Sequence, residues 1–202
     1  MIHRRIVLAG TGAAGVAALV LALSVVLGST TRHGDGQGPL ASLNESGSES
    51  MAVDPTRTGA TSWTYGIRLC VQSSDVPAVV EGVAPTATVG DGFRMVGLGL
   101  REFDPSADHA PIISVDGYPP PRRDVPDTPA SVPGFVVRTP CALDPTARYT
   151  ELLVGLERIG AAGGGWRGLD VTYTADGRRY VLAIEHDLLI CGPAIPEFCH
   201  GP

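Results

Sequence analysis

The sequence predicts an all-β protein: an immunoglobulin-like β-sandwich ectodomain preceded by one N-terminal transmembrane helix and a disordered linker. Three observations carry this. Residues 6–28 contain no charge. Residues 29–60 are rich in Gly, Ser, Thr and acidic side chains. From residue 61 to 202, short apolar–polar alternations are separated by Gly, Pro, Ser and Asp, and no long amphipathic helix is visible. About eight or nine short strands in about 140 residues fit a sandwich.

The first five residues include Arg4 and Arg5. The stretch RRIVLAGTGAAGVAA that begins there holds Gly10, Gly12 and Gly15 in the order G-x-G-x-x-G. A dinucleotide fingerprint needs a strand before it, an amphipathic helix after it and a second strand beyond. Here Thr11 and Ser24 are the only polar residues between Ile6 and Gly28, so a helix would have no wet face. At 1.5 Å per residue it would be roughly 34 Å long, enough for a hydrocarbon core of about 30 Å. The segment therefore reads as a membrane anchor, with the lipid bilayer as the partner of residues 6–28. The arginines stay in the cytoplasm by the positive-inside rule, and the rest of the chain lies outside. Gly10, Ala14, Ala18 and Ala22 form a small-residue stripe, for which alanine-rich composition is the simpler account. A cleaved signal peptide is the competing reading; the segment's length and the missing A-x-A site favour a retained anchor.

Residues 29–60 carry too few apolar side chains to bury a core of their own. As a flexible tether they would span on the order of 30 Å. The outer domain follows at 61–202. Its clearest unit is LDVTYTADGRRYVLAI, in which Leu169, Val171, Tyr173 and Ala175 alternate with polar residues. Asp176-Gly177 is a two-residue hairpin turn. Folding there sets Tyr173 opposite Tyr180, Val171 opposite Leu182 and Leu169 opposite Ile184, all apolar pairs on one face. Further strands are expected at 65–71, 78–83, 93–103, 112–115, 135–139, 150–158 and 188–191.

Leu69–Cys70, the mid-domain Cys141, the run TELLVGLER, the hairpin and the closing LLIC resemble uncharacterised exported, membrane-anchored β-sandwich proteins of high-GC Gram-positive bacteria. The resemblance spans roughly residues 65–192. It implies an exported β fold and no particular activity.

Composition narrows the chemistry. All 15 basic Lys/Arg positions are arginine. Without lysine there is no Schiff base, no Ser–Lys dyad and no Walker-A loop. A net charge of -6 with only isolated pairs, Arg122–Arg123 and Arg178–Arg179, argues against nucleic acid. Neither G-x-S-x-G nor H-E-x-x-H occurs, and no cofactor is expected. Glu185-His186-Asp187 is the densest polar cluster, but strand alternation turns both acids away from the histidine. Glu151, Glu157 and Asp170 read as solvent-facing, and His3 and His33 fall outside the expected domain. The expected role is thus a non-catalytic envelope binding or scaffold module, with an envelope protein or glycan as partner. The alternative is a secreted hydrolase or metal-binding domain using His186.

The four cysteines, Cys70, Cys141, Cys191 and Cys199, read as two disulfides in an oxidising compartment. Adjacent first and last strands favour Cys70–Cys191 with Cys141–Cys199; Cys70–Cys141 with Cys191–Cys199 is the close alternative. A metal site from His186, Cys191, Cys199 and His200 is the rival, although C-x7-C is wide for structural zinc. Two features could bind a partner. Asp104–Gly134 is a long loop with eight prolines, in which Tyr118, Arg122 and Arg123 flank or follow a Pro-Pro-Pro run. Trp166 follows three glycines and would be either a contact residue or core packing, with core packing favoured.

Overall fold

The computed structural model describes residues 30–34, 37–43, 50–107, 111–125, 128–142, 147–195 and 199. The expected cytoplasmic residues 1–5 and membrane segment 6–28 lie outside the described residues. Among the described residues, no helix is long and apolar enough to cross a membrane.

In chain order the strands are β1 (Thr31–His33), β2 (Leu40–Ser42), β3 (Ser50–Val53), β4 (Ser62–Val71), β5 (Ala78–Gly90), β6 (Phe93–Phe103), β7 (Ser114–Asp116), β8 (Phe135–Val137), β9 (Tyr149–Arg158), β10 (Gly164–Ala175) and β11 (Arg178–Ile190). They form two sheets. The first runs β1-β11-β10-β5-β8, with β3 also on β11. The second runs β2-β4-β9-β6, with β7 also on β4. The protein is all-β with two sheets, consistent with a β-sandwich. The one α-helical turn among the described residues, α1 (Pro55–Thr58), is capped by the Asp54 side chain.

The β10–β11 hairpin has the register expected from its alternation. Tyr173 pairs with Tyr180, Val171 with Leu182 and Leu169 with Ile184. Asp176 and Gly177 have φ of 48° and 69°, the positive values a primed turn requires. The register breaks once, between Arg167 and Leu169, where Gly168 forms a bulge. One face of β4, β9, β10 and β11 is buried between the sheets. β4 contributes Trp63, Tyr65, Ile67 and Leu69, and β9 contributes Leu152, Val154 and Leu156. The other sheet contributes Leu169, Val171 and Tyr173 from β10, and Leu182, Ile184, Leu188 and Ile190 from β11.

The chain passes between sheets at one end, through residues 91–92 and again through 159–163. These crossings touch backbone to backbone. Gly92 N donates to Gly163 O at 3.1 Å, and Ile159 N donates to Gly92 O at 2.9 Å. A side chain at Gly163 would strike Ile190 O and Gly192 N, so glycine is required there by approach as well as by its φ of 73°. This is the crossing end; the β10–β11 turn marks the opposite, hairpin end.

The described residues within 29–60 differ from the tether that composition suggests. β1 lies parallel to β11, with Thr31 opposite Tyr180. β2 crosses to the second sheet, with Leu40 opposite Val71. β3 returns to β11, with Asp187 opposite Ser50. The physical reason is that an edge strand borrows a core already built. It needs backbone hydrogen bonds and a few apolar anchors, here His33, Leu40 and Val53, all buried. The anchors close edges that would otherwise present unpaired backbone groups.

Candidate functional site

The described residues of the long proline-rich segment are fastened across the outer face of the second sheet. That face is unusually bare, because Gly66 on β4, Gly97 and Gly99 on β6, and Gly155 on β9 project no side chain. A methyl at Gly97 or Gly155 would overlap the Tyr118 ring, and one at Gly66 would overlap the Ile112 carbonyl. A methyl at Gly99 would meet Pro129 Cβ at 2.7 Å. The strip of glycines thus receives the loop. Ile112 and Val125 bury against Leu153 in a second small core. Gly117 N donates to Ser62 O at 2.7 Å, and Leu100 and Ala130 exchange backbone hydrogen bonds at 3.0 and 2.8 Å.

Beneath this loop Glu151 is fully buried. Ile112 N donates to its Oε1 at 2.7 Å, and Arg101 Nε donates to its Oε2 at 2.6 Å. Desolvation raises the Glu151 pKa, while Arg101 and the Ile112 N–H oppose the rise. Beside the pair, Phe103 and Tyr149 stack at 4.7 Å, and Arg68 lies 5.4 Å above the Tyr149 ring. Burial, with the nearby Glu151 charge, pushes the Tyr149 phenol up to about 12. The expectation that Glu151 faces solvent is corrected: the alternation is right, but the loop covers that face. Glu157 and Asp170 are only partly exposed and pair with Arg94 and Arg32.

The structure separates the residues singled out as a binding surface. Tyr118 lays its ring on the glycine strip instead of offering it outward. Arg122 and Arg123 are exposed in the turn that Asp124 N closes on Pro121 O at 2.9 Å. Arg123 Nε reaches Asp124 at 3.4 Å. Trp166 is fully buried and meets Phe93 edge to face at 5.7 Å, so it is core and not a contact residue. What the site offers is two exposed guanidiniums on adjacent residues, able to bind carboxylate or phosphate oxygens.

The cysteines pair as Cys70–Cys141 and Cys191–Cys199, with Cα atoms 4.9 and 5.4 Å apart. This corrects the favoured Cys70–Cys191 and Cys141–Cys199. Cys70 stands near the hairpin end of β4, while Cys191 follows β11 at the crossing end, so the two are a sandwich length apart. The pairing also removes Cys191 and Cys199 as metal ligands; His200 lies outside the described residues. Among the described residues, no group of three or more His, Cys, Asp and Glu is placed to hold a metal ion. His186 lies on the core face of β11 between Ile184 and Leu188, and Glu185 and Asp187 face the other way.

His33, expected outside the domain, is buried on β1. Its Nε2 lies 2.6 Å from Tyr173 Oη and its Nδ1 2.8 Å from Gly34 O. Leu40 N donates to the same phenol at 3.3 Å, and burial pushes Tyr173 up to about 12. Nothing local in the sequence marks this contact, since 140 residues separate His33 from Tyr173. No protein-family model, curated protein or solved structure matches this chain.

Proposed function

We propose that the chain is a single-pass membrane protein, N-terminus in the cytoplasm, whose outer immunoglobulin-like sandwich is a non-catalytic binding or scaffold module of the envelope. Residues 6–28 hold it in the bilayer. The observation that carries the reading is the closure of all four cysteines into two disulfides, every one C-terminal to that segment. Such pairs persist in oxidising compartments. The immunoglobulin-like assignment is supported by strand order. β2-β4-β9-β6 follows the A-B-E-D order of that fold, and β11-β10-β5 follows G-F-C, with β8 added beside β5. A binding role is supported by the clamped loop that presents Arg122 and Arg123, whose guanidiniums suit an acidic envelope protein or glycan.

The test is the intact, non-reduced mass of the protein from separated membrane, culture and cytosolic fractions. A full-length chain in the membrane, lighter by the four hydrogens of two disulfides, is the expected result. A shortened chain in the medium replaces the anchor with a signal peptide. A full-length cytosolic chain with free thiols overturns the topology.

A further inference from the structure

Resting on the anchor reading above, we propose that the hairpin end of the sandwich docks on the lipid headgroups of the same bilayer that holds residues 6–28. The inference comes from where β1 begins. Only Ser29 and Thr30 separate Gly28 from Thr31. Fully extended, the three steps from Gly28 to Thr31 span about 10 Å. The headgroup layer on each side of the hydrocarbon core is itself about 5–7 Å thick. The chain therefore enters its first paired strand within a few ångströms of the headgroup layer, not after a tether of about 30 Å.

The register then fixes which end of the domain is there. β1 runs parallel to β11 and starts opposite Tyr180, two residues past Arg178, the first residue of β11. Across the same sheet, β10 ends beside the start of β5, where Val79 faces Thr174, and β8 ends where Val137 faces Ala78. In the second sheet, Val71 at the end of β4 faces Leu40. All these chain ends border the β10–β11 turn and the exposed turn at 72–75.

β1 is held firmly enough to transmit this placement. His33 is buried against Tyr173, and Arg32 pairs with Asp170. The end it brings to the bilayer suits headgroups. Arg138 and Arg178 are exposed there, and Arg179 lies 2.9 Å from Glu81 while about half its side chain stays open. Guanidiniums hydrogen-bond phosphate oxygens. Between them runs a shallow groove lined by Val76, Pro77, Val79 and Ala175, flanked by Asp75 and Asp176. The crossing end, with Ala161 and the Cys191–Cys199 bridge, is held away by the length of β11, roughly 40 Å.

The test uses the full chain reconstituted in phosphatidylcholine–phosphatidylglycerol vesicles whose two leaflets both carry a headgroup spin label. Ser74→Trp reports from the hairpin end and Ala161→Trp from the crossing end; both positions are exposed. The buried Trp63 and Trp166 add the same signal to both variants. The expected result is loss of most of the added emission in Ser74→Trp and retention in Ala161→Trp. Equal emission from the two, in protein that floats with the vesicles, overturns the docking and leaves the anchor standing. Protein that does not float with the vesicles overturns the anchor and the docking together.

Discussion

Burying Glu151 strips a carboxylate of water, and only a close cation and a backbone donor offset that cost. Because desolvation raises its pKa, the folded protein holds the proton more tightly than the unfolded chain. Its contribution to stability is therefore fully present at low pH. It declines as pH rises above the ordinary carboxylate value of 4.5. Arg101→Met leaves the carboxylate without its counter-ion, and the expected loss at neutral pH is about 3–5 kcal/mol. The loss shrinks as pH falls through that window, since a protonated carboxyl needs no cation. Urea midpoints measured across pH check this; a loss that does not change with pH would mean Arg101 acts only by packing over Phe103. The sequence places Glu151 correctly on the face opposite the core. It cannot show that Ile112, 39 residues earlier, closes over it. His33 is the same case at longer range.

Among the elements, the register of the β10–β11 hairpin around its turn was legible, because a primed turn and a two-residue period specify the same pairs; the bulge at Gly168 and the unbroken run of β11 to Ile190 were not. The disulfides were not, because connectivity depends on which strand ends share an end of the sandwich. Cys70–Cys141 closes a separation of 71 residues, and Cys191–Cys199 one of 8. Restricting the unfolded chain favours the larger loop, about 4 kcal/mol against about 2.5 kcal/mol. Replacing Cys70 and Cys141 with Ala is expected to lower the urea midpoint more than replacing Cys191 and Cys199. The reverse order would show that the C-terminal clip stabilises through its contacts at the crossing end. The glycine strip was equally hidden. Gly66, Gly97, Gly99 and Gly155 are scattered through three strands, and only their alignment across the sheet makes a bed for the loop.

For the whole molecule, the decisive feature is the pairing of β1, β2 and β3 along the edges of both sheets. A chain beginning at Thr30 is expected to fold as a monomer with one cooperative unfolding transition. A chain beginning at Thr61 lacks buried Leu40 and Val53 and leaves the β11 edge open, and is expected to aggregate or to lose that transition. Size-exclusion chromatography and urea unfolding of the two check this; equal behaviour would make the three short strands dispensable. Alone, the sequence determined the all-β class, the places of most strands and the register of the last hairpin near its turn, because those rest on periods of a few residues. Only the tertiary structure decided the cysteine pairing, the burial of Glu151, the inward Tyr118 and the conversion of an expected tether into sheet edges. Each of these depends on surfaces supplied by residues far away in the chain, and a polar, glycine-rich segment takes up order when such a surface already exists.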